Sequence, residues 1–358
     1  MGARRMSAGL GECVSVIVPA RNEEANLGRV VRSLASQQGV LEILVVDDQS
    51  EDRTPEILAE LEAQIPCLRA MRLDSLPEGW LGKTHAVAEG ARRARGEWLL
   101  FTDADTEHLP GSLAELLGRA EREGADLLSV SPGQETPTWW EKAVIPLVYV
   151  QLSRLFRFED VSDPKSLASA ANGQYLLIRR AAYERCGGHE AVKSAILEDV
   201  ELARRVKSQG GKLVFLPGAR WVRTRMYRRW GELWRGWSKN LYLLYQADFG
   251  RLLGSVASLW LLDALPVLAL VLAAALAIAR QGSVPAALLA AALLAITVTR
   301  HVSYRRALRR SGFSPALAAY LAPGAALVGC LMLNSARVHL AAGSVEWKGR
   351  HYATRGRA

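Results

Sequence analysis

Cysteine is scarce in this sequence, and two common nucleotide-binding motifs are missing from it. The four cysteines among 358 residues show no metal-ligand spacing and no paired framework, which agrees with a reducing compartment. No Gly-x-Gly-x-x-Gly follows the first predicted strand, and this argues against a dinucleotide-binding oxidoreductase. Gly82-Lys83-Thr84 lacks the upstream glycine of a phosphate-binding loop, so a Walker-type NTPase is also disfavoured.

Long apolar runs are absent up to about Leu252, and three of them follow. They extend from Leu253 to Ala279, from Gln281 to Thr299 and from Ser314 to Ala336, and Asp263 is the one charged residue inside them. A bilayer-spanning helix needs about 20 apolar residues, so each run is a candidate span, the middle one marginally. A buried hairpin of core helices is the alternative. Residues 1–11 have no apolar core and predict no signal peptide, so we expect the domain before these runs in the cytoplasm.

The net charge of +9 is concentrated just before the first apolar run. Basic residues alternate with tryptophans there: Arg220, Arg223, Arg225, Arg228, Arg229, Arg235 and Lys239 with Trp221, Trp230, Trp234 and Trp237. Nucleic-acid binding or a solvated basic face would account for the arginines, but four tryptophans beside apolar runs favour an amphipathic helix in the membrane interface. The sequence therefore predicts a membrane as partner and no nucleic acid.

Four regions are predicted along the chain. Residues 1–220 form a cytoplasmic α/β domain, 221–250 an amphipathic interfacial region, 251–341 about three transmembrane segments and 342–358 a basic C-terminal tail. The positive-inside rule puts the arginine-rich stretch at 300–310 on the cytoplasmic side, as it does the α/β domain. Three crossings would then leave the basic tail outside. Either the tail is an exception or one segment is re-entrant.

Strands and helices alternate in the first region. Strands are predicted at 14–18, 42–46 and 68–73 and in a segment ending at Asp103, and helices at 23–37, from Thr54 onward, at 84–95 and at 199–208. This alternation predicts a mostly parallel, Rossmann-like α/β sheet with helices on both faces.

Three acidic sites follow strands or open helices in this domain. Asp103 and Asp105 are one residue apart at a predicted strand end, where side chains at i and i+2 point the same way and can hold Mg²⁺ or Mn²⁺. An acidic cap for the helix near Pro110 is the structural alternative. Asp47-Asp48 ends the second strand. Glu198-Asp199 opens a helix, where acidic residues also favour the helix dipole.

Four ordered blocks within about residues 13–240 resemble family 2 inverting glycosyltransferases, which have the nucleotide-diphospho-sugar transferase fold. The blocks are Val18-Pro19-Ala20-Arg21-Asn22-Glu23-Glu24, Val45-Val46-Asp47-Asp48-Gln49-Ser50, Phe101-Thr102-Asp103-Ala104-Asp105 and Leu197-Glu198-Asp199. The narrower resemblance is to membrane-bound hopene-associated and carotenoid glycosyltransferases. It rests on Gly79-Trp80-Leu81-Gly82-Lys83, Ala171-Asn172-Gly173-Gln174, Gly187-Gly188-His189 and the segment from Trp234 to Asn240.

The resemblance implies a donor site at the carboxyl ends of the first strands. Pro19, Ala20, Arg21 and Glu23 would contact the nucleotide, and Asp48 would contact uracil or ribose. The implied donor is a nucleotide-diphosphate sugar, with a UDP-linked sugar favoured.

The resemblance also implies the groups around the diphosphate and the acceptor. Lys83 would approach the nucleotide or its diphosphate, and Asp103 would touch the ribose side and the metal. Asp105 would bind Mn²⁺ or Mg²⁺. Asp199 would be the general base that removes the proton of the acceptor hydroxyl or carboxyl. The expected outcome is inversion at the anomeric carbon in one displacement.

Processive and ceramide-type members carry Gln or Arg, two further residues and then Arg-Trp, and this chain departs from that pattern. Arg229-Trp230 is present, but the position three residues before Arg229 is Met226. Arg229 and Trp230 are therefore predicted either to face the donor diphosphate or acceptor, or to belong to the interfacial helix.

The resemblance as a whole implies a multi-pass enzyme of the inner (plasma) membrane with its catalytic domain in the cytoplasm. It would transfer a sugar to a lipid acceptor such as a polyisoprenoid, carotenoid, hopanoid or glycolipid. A processive polysaccharide synthase and a non-catalytic nucleotide-sugar-binding membrane protein are the alternatives.

Overall fold

The computed structural model of the chain describes residues 13–279, 284–342, 344–347 and 350–353, so the predicted N-terminal segment 1–11 and part of the predicted tail lie outside the described residues. The strands are β1 (Val14–Ala20), β2 (Val40–Asp47), β3 (Leu68–Arg72), β4 (Trp98–Phe101), β5 (Thr106–His108), β6 (Leu127–Ser131), β7 (Gly133–Gln134), β8 (Leu176–Arg179), β9 (Leu213–Pro217), β10 (Val222–Thr224), β11 (Ser344–Trp347) and β12 (Arg350–Ala353). The α-helices are α1 (Leu27–Ala35), α2 (Thr54–Gln64), α3 (Gly82–Arg93), α4 (Ser112–Glu123), α5 (Trp139–Leu155), α6 (Phe158–Ser162), α7 (Arg180–Arg185), α8 (Glu198–Ser208), α9 (Trp230–Leu244), α10 (Phe249–Leu259), α11 (Leu265–Ala279), α12 (Val284–Arg310) and α13 (Leu321–Arg337). Gly188–Val192 and Pro315–Tyr320 are 3₁₀-helical, and Trp260–Ala264 and Val338–Ala342 are π-helical.

The chain divides into two compact units. The first unit comprises residues 1–133 and 156–225, and the second comprises residues 134–155 and 226–358. Helix α5 thus groups with the C-terminal part of the chain, although it lies between strands of the first unit in the sequence. The four predicted regions remain predictions.

The first unit is built on a seven-stranded sheet with the order β3-β2-β1-β4-β8-β6-β9. Strand β8 runs antiparallel to its neighbours β4 and β6, and the other neighbouring strands are parallel. Parallel neighbours require crossover connections, and helices supply most of them here. The predicted α/β class with a mostly parallel sheet is confirmed.

Helices cover both faces of this sheet. Along β1, Val16 and Val18 point into a core with α1, α2 and α4, whereas Ile17 points into a core with α3 and α8. All three side chains are fully buried. A strand covered on both faces has no polar side, which is why β1 reads as a continuous apolar run.

Gly90 brings α3 close to the sheet, and this makes a prediction about stability. A Cβ at residue 90 would lie 2.5 Å from Cγ2 of Ile17, so Gly90→Ala is expected to lower the free energy of unfolding by about 1–3 kcal/mol through overpacking. Gly28→Ala in α1 is the matched control, because nothing lies within 4 Å of its added Cβ. Denaturant unfolding of the purified protein measures both. Equal stability of the two variants would contradict the close packing at Gly90.

The second unit has its own apolar core. Buried side chains from α5, α9, α10 and α13 form it, including Val148, Trp237, Val256 and Val328. Polar contacts tie α13 to α9: the backbone N–H of Tyr242 donates to Ser335 Oγ at 2.9 Å. Helix α13 is therefore part of a packed helical cluster.

Three helical segments in the described part of the chain are long and apolar enough to cross a membrane: Phe249–Leu276, Val284–Arg310 and Pro315–Ala341. They differ in burial within the protein. In the most apolar stretch of each, 28% of the first, none of the second and 44% of the third is buried. Helices α11 and α12 pack on each other as a hairpin, yet both keep large apolar side chains exposed, with Leu268 68% and Leu288 67% exposed.

Candidate active site

The segments after β1 and β2 are held together at the carboxyl edge of the sheet. Pro19 and Ala20 are the last residues of β1. The next residue, Arg21, turns its guanidinium toward the second segment and donates to the backbone oxygens of Asp48 at 2.6 Å and Gln49 at 3.1 Å. The backbone N–H of Asp48 donates in turn to the carbonyl of Ala20 at 2.8 Å. Four of the predicted nucleotide-binding residues, Pro19, Ala20, Arg21 and Asp48, therefore lie side by side.

Further hydrogen bonds join the same two segments. Asn22 donates its backbone N–H to Ser50 Oγ at 2.9 Å and accepts from the backbone N–H of Glu51 at its Oδ1, also at 2.9 Å. The backbone N–H of Glu23 donates to Thr54 Oγ1 at 2.8 Å. These contacts hold residues 22–26 in a turn, so α1 begins at Leu27 and not near Glu23 as predicted.

The two aspartates at the end of β2 have different surroundings. Asp47 Oδ1 accepts from the backbone N–H of Ser50 at 2.9 Å, and its Oδ2 pairs with Arg72 at 3.0 Å, so this carboxylate shapes the turn. Asp48 is also buried, 2% exposed, in the segment that Arg21 holds. Its predicted contact with uracil or ribose remains a prediction.

Strand β4 ends at Phe101, two residues before the predicted end, so Asp103 and Asp105 lie in a loop. The strand argument for their common direction is therefore wrong. Hydroxyl groups shape this loop instead: Thr106 Oγ1 donates to the carbonyl of Asp103 at 2.8 Å, and Thr224 Oγ1 donates to that of Asp105 at 3.1 Å.

The alternative that these aspartates cap the following helix is also excluded. Helix α4 begins at Ser112 with Gly111 as its cap residue, and β5 lies between the aspartates and the helix. Neither Asp103 nor Asp105 therefore caps helix α4.

Lys83 links the carboxylates of two segments that are far apart in sequence. It is the second residue of α3, and its Nζ lies 2.8 Å from Asp103 Oδ1 and 2.9 Å from Glu198 Oε1. Burial alone would lower the pKa of Lys83, but the carboxylates of Asp103, Glu198 and Asp199 hold it well above its usual value. The side chain is thus a permanent cation about one quarter exposed, placed among acids.

Asp199 lies in the first turn of α8, where a carboxylate also interacts favourably with the helix dipole. Its Oδ2 accepts the backbone N–H of Gly173 at 2.7 Å, and its Oδ1 accepts that of Val200 at 2.8 Å. Burial and the neighbouring Glu198 raise the pKa of Asp199 to about 6, although Lys83 and the two hydrogen bonds oppose the shift. Such a carboxylate is a stronger base than an ordinary aspartate and is still ionised at neutral pH.

The raised pKa of Asp199 makes a prediction about pH. A general base acts when deprotonated, so activity should rise as the pH increases through about 6 and level off above pH 7. The kcat/KM profile between pH 5 and 8 measures this. A profile flat down to pH 5 would mean that no group with this pKa limits the reaction. The Asp199→Glu variant, if active, should show a displaced midpoint.

Two contributors to this site had no assigned role in the sequence. Glu198, on α8, forms an ion pair with Lys83. Gly173 donates its backbone N–H to Asp199. A side chain at residue 173 would crowd the site, because a Cβ there would lie 3.0 Å from Lys83 Nζ. The pair Glu198-Asp199 and the block around Gly173 were both visible as motifs. Their mutual contact was not, because it joins α3, α8 and the loop before β8.

A divalent cation would find hard oxygen ligands in Asp103 and Asp105. Among the described residues, no group of three or more His, Cys, Asp or Glu side chains is gathered as a metal site. Mg²⁺ is often held by one or two carboxylates, with substrate phosphates and water completing its shell. The residues present therefore fit an ion that arrives with a diphosphate.

Arg229 and Trp230 belong to the second unit. Arg229 is the cap residue of α9, and Glu232 Oε2 accepts its backbone N–H at 3.2 Å. Trp230 is about one third exposed, contacts Trp140 edge to face and packs against Trp234 at a tilted angle. Their proposed contact with donor or acceptor remains a prediction.

Comparison with known sequences identifies the class. Residues 15–187 match the model of glycosyl transferase family 2, a range that contains the first three sequence blocks. The resemblance to family 2 glycosyltransferases that the blocks predicted is confirmed over this range. Asp199 lies beyond the matched range.

Two curated relatives are similar to this chain over about two thirds of its length. The 4,4'-diaponeurosporenoate glycosyltransferases of Staphylococcus aureus (strain USA300) and Staphylococcus haemolyticus (strain JCSC1435) are 28% and 29% identical to the chain over 235 and 243 residues. Both alignments cover 64% of this chain and 61% of the relative, so the chain spans about three fifths of the length of these curated relatives. The predicted similarity to carotenoid glycosyltransferases is confirmed.

A solved structure supports the fold over most of the chain. The mannosyltransferase PcManGT from Pyrobaculum calidifontis, in complex with GDP-Man and Mn²⁺, superposes with a TM-score of 0.51 and 22% identity. The match covers 89% of this chain and 87% of that one. At this identity the comparison establishes the fold.

Proposed function

We propose that the protein is an inverting glycosyltransferase that moves a sugar from a nucleotide-diphosphate donor to a lipid acceptor at a membrane. The observation that carries this proposal is the cluster of Asp199, Lys83, Glu198 and Asp103 inside and beside a family 2 domain. It combines a basic carboxylate, a partly buried cation and carboxylates suited to a metal ion, the three kinds of group that a displacement at a sugar diphosphate needs.

Asp199 serves as general base in the proposed reaction. Its carboxylate takes the proton of the acceptor hydroxyl or carboxyl group while the acceptor oxygen bonds to the anomeric carbon. The bond from that carbon to the diphosphate oxygen breaks in the same step, and the configuration inverts. The N–H of Gly173 fixes the carboxylate so that one oxygen keeps its orientation.

Negative charge accumulates on the leaving diphosphate, and two features would stabilise it. The ammonium group of Lys83 lies close to Asp103, and it can exchange its carboxylate partners for phosphate oxygens. Asp105, with Asp103, would hold Mg²⁺ or Mn²⁺, which supplies Lewis-acid stabilisation of the diphosphate when bound. We propose uridine as the donor nucleoside and keep guanosine as the comparison, because PcManGT was solved with GDP-Man.

The lipid class of the acceptor is supported by two independent features. The relatives from Staphylococcus are named for diaponeurosporenoate, an acidic carotenoid, and the second unit of this chain exposes long apolar helices. We propose a polyisoprenoid-type acid or alcohol as acceptor.

We further propose two membrane crossings, made by the hairpin of α11 and α12. The apolar side chains exposed on this hairpin need a lipid environment, whereas α13 packs into the helical cluster. Two crossings return the chain to the side from which it entered, so both the catalytic unit and the C-terminal tail face the cytoplasm. This arrangement satisfies the positive-inside rule for Arg305, Arg306, Arg309 and Arg310. Protease access to a C-terminal tag in inside-out vesicles, but not in intact cells, would support it.

A transfer assay tests the function. Membranes containing the protein are incubated with UDP- or GDP-linked sugars and a panel of polyisoprenoid acids and alcohols, and the lipids are analysed by mass spectrometry. The expected product is an acceptor with the mass of one added sugar. Long polymers would indicate a polysaccharide synthase, and donor binding without product on the whole panel would indicate a non-catalytic binding protein.

A further inference from the structure

A buried ion pair lies at the base of the hairpin formed by α11 and α12. Asp263, 4% exposed, sits in the π-helical turn Trp260–Ala264, and both its oxygens accept from the guanidinium of Arg300, at 2.8 Å each. A π-helical turn inside a long helix interrupts the regular hydrogen-bond pattern and is frequent at functional sites. Ionisable residues within apolar helices are costly, so they are retained mainly where they act or pair.

A small cavity adjoins this pair in the second unit. Its polar lining consists of Gln151 and Arg154 from α5, Asp263, and Arg300, Ser303 and Tyr304 from α12. The cavity has room for about one water molecule, and it reaches the surface beside Arg154 and Ser303, which are exposed.

Tyr304 supplies a hydroxyl group to the cavity. Its side chain is 5% exposed and lines the cavity, and its hydroxyl makes no hydrogen bond to any described residue. The hydroxyl oxygen is not fully enclosed, so it can hydrogen-bond to water in the cavity. A ligand oxygen in the cavity would take the place of that water.

The charges of the lining residues define the ligand. Asp263 compensates Arg300, whereas Arg154 donates a hydrogen bond to the uncharged amide of Gln151 at 3.2 Å, so the cavity carries one net positive charge. Its uncharged groups, Tyr304, Ser303 and the Gln151 amide, can all donate hydrogen bonds. One positive charge with several donors fits a singly charged phosphodiester.

The position along the hairpin indicates where the phosphodiester comes from. From Arg300 back to the start of α12 the helix is apolar over about 24 Å, while four arginines follow within the next ten residues. On the membrane arrangement proposed above, Arg300 and Tyr304 then lie at the level of the lipid headgroups. We propose that this cavity binds the phosphate of an anionic phospholipid, with one phosphate oxygen at Tyr304 and the remainder beside Arg154.

Native mass spectrometry of the full chain, extracted from nanodiscs that contain phosphatidylcholine and phosphatidylglycerol, tests this site. The wild type should retain one phosphatidylglycerol. Arg154→Gln should bind it at least about tenfold more weakly, because a charge-assisted hydrogen bond is lost, and Tyr304→Phe should also weaken it. Arg305→Gln is the matched control: it removes the same charge from an exposed neighbour on α12 and should retain the lipid.

Three outcomes would overturn the proposal. If Arg154→Gln retained phosphatidylglycerol as the wild type does, the cavity would not be the binding site. If Arg305→Gln lost the lipid equally, general surface charge would account for binding. Displacement of the lipid by an equal concentration of free glycerophosphate would make the ligand a soluble phosphate. Lipid retention is measured without transfer, and Asp199→Asn should retain the lipid as the wild type does, so failure of this site and failure of the proposed reaction give different results.

Discussion

Asp199→Asn is expected to lower the rate of sugar transfer by about 10²- to 10⁴-fold, the range that general-base catalysis supplies. Asparagine keeps an oxygen that can accept the N–H of Gly173, so the loop before β8 should stay in place. It cannot take the acceptor proton, because an amide is not a base at neutral pH. Product formation with a labelled donor measures the rate, and donor binding should be nearly unchanged.

Glu201→Gln serves as the matched control for this variant. Glu201 lies in the same first turn of α8, but its side chain is 38% exposed and pairs with Arg204. Its loss should leave transfer within about twofold of the wild type, since surface ion pairs contribute little. Full activity in Asp199→Asn would remove Asp199 from the mechanism.

Asp105→Asn is expected to abolish metal-dependent donor binding and to reduce transfer by more than about 100-fold. The loop after β4 offers two carboxylates for a cation that accompanies the diphosphate, and an amide is a much weaker ligand for Mg²⁺ or Mn²⁺ than a carboxylate. Calorimetric titration with UDP, with and without Mn²⁺, measures the effect. The wild type should bind more tightly with the ion, and the variant should bind equally weakly in both conditions.

Glu97→Gln is the control for the loss of one carboxylate in the first unit. Glu97 is 72% exposed and pairs with Arg179, away from the loops of the site. It should preserve the metal dependence of UDP binding. If Asp105→Asn preserved that dependence too, Asp105 would not be the metal ligand.

Strands β1 and β2 could be placed from the sequence, because buried parallel strands are continuous apolar runs. The end of β4 could not. Leu99, Leu100 and Phe101 continue into Thr102 without a breaker, and the strand ends where Thr102 Oγ1 donates to the carbonyl of Gln174, 72 residues later in the chain. Local patterns carry no information about such a partner.

The contacts within the candidate active site also could not be predicted from local sequence patterns. Asp103, Asp105 and Asp199 could be selected as candidates from spacing and family resemblance, but the role of Glu198 depends on Lys83, which is 115 residues before it in sequence (198 − 83). Helix α5 is a second case. It lies between strands of the first unit in the sequence, yet the folded chain assigns it to the unit that contains α9 and α13.

The hydrogen bonds between the β1 and β2 segments have a consequence for donor specificity. Arg21, Asn22 and Glu23 are each bonded to a residue of the segment from Asp48 to Thr54, so neither segment keeps its shape if the other is replaced. Exchanging one segment for that of an enzyme with a different nucleotide base should therefore damage the fold of both. A change of base preference, by selection or by engineering, requires that the two segments be inherited as a single block.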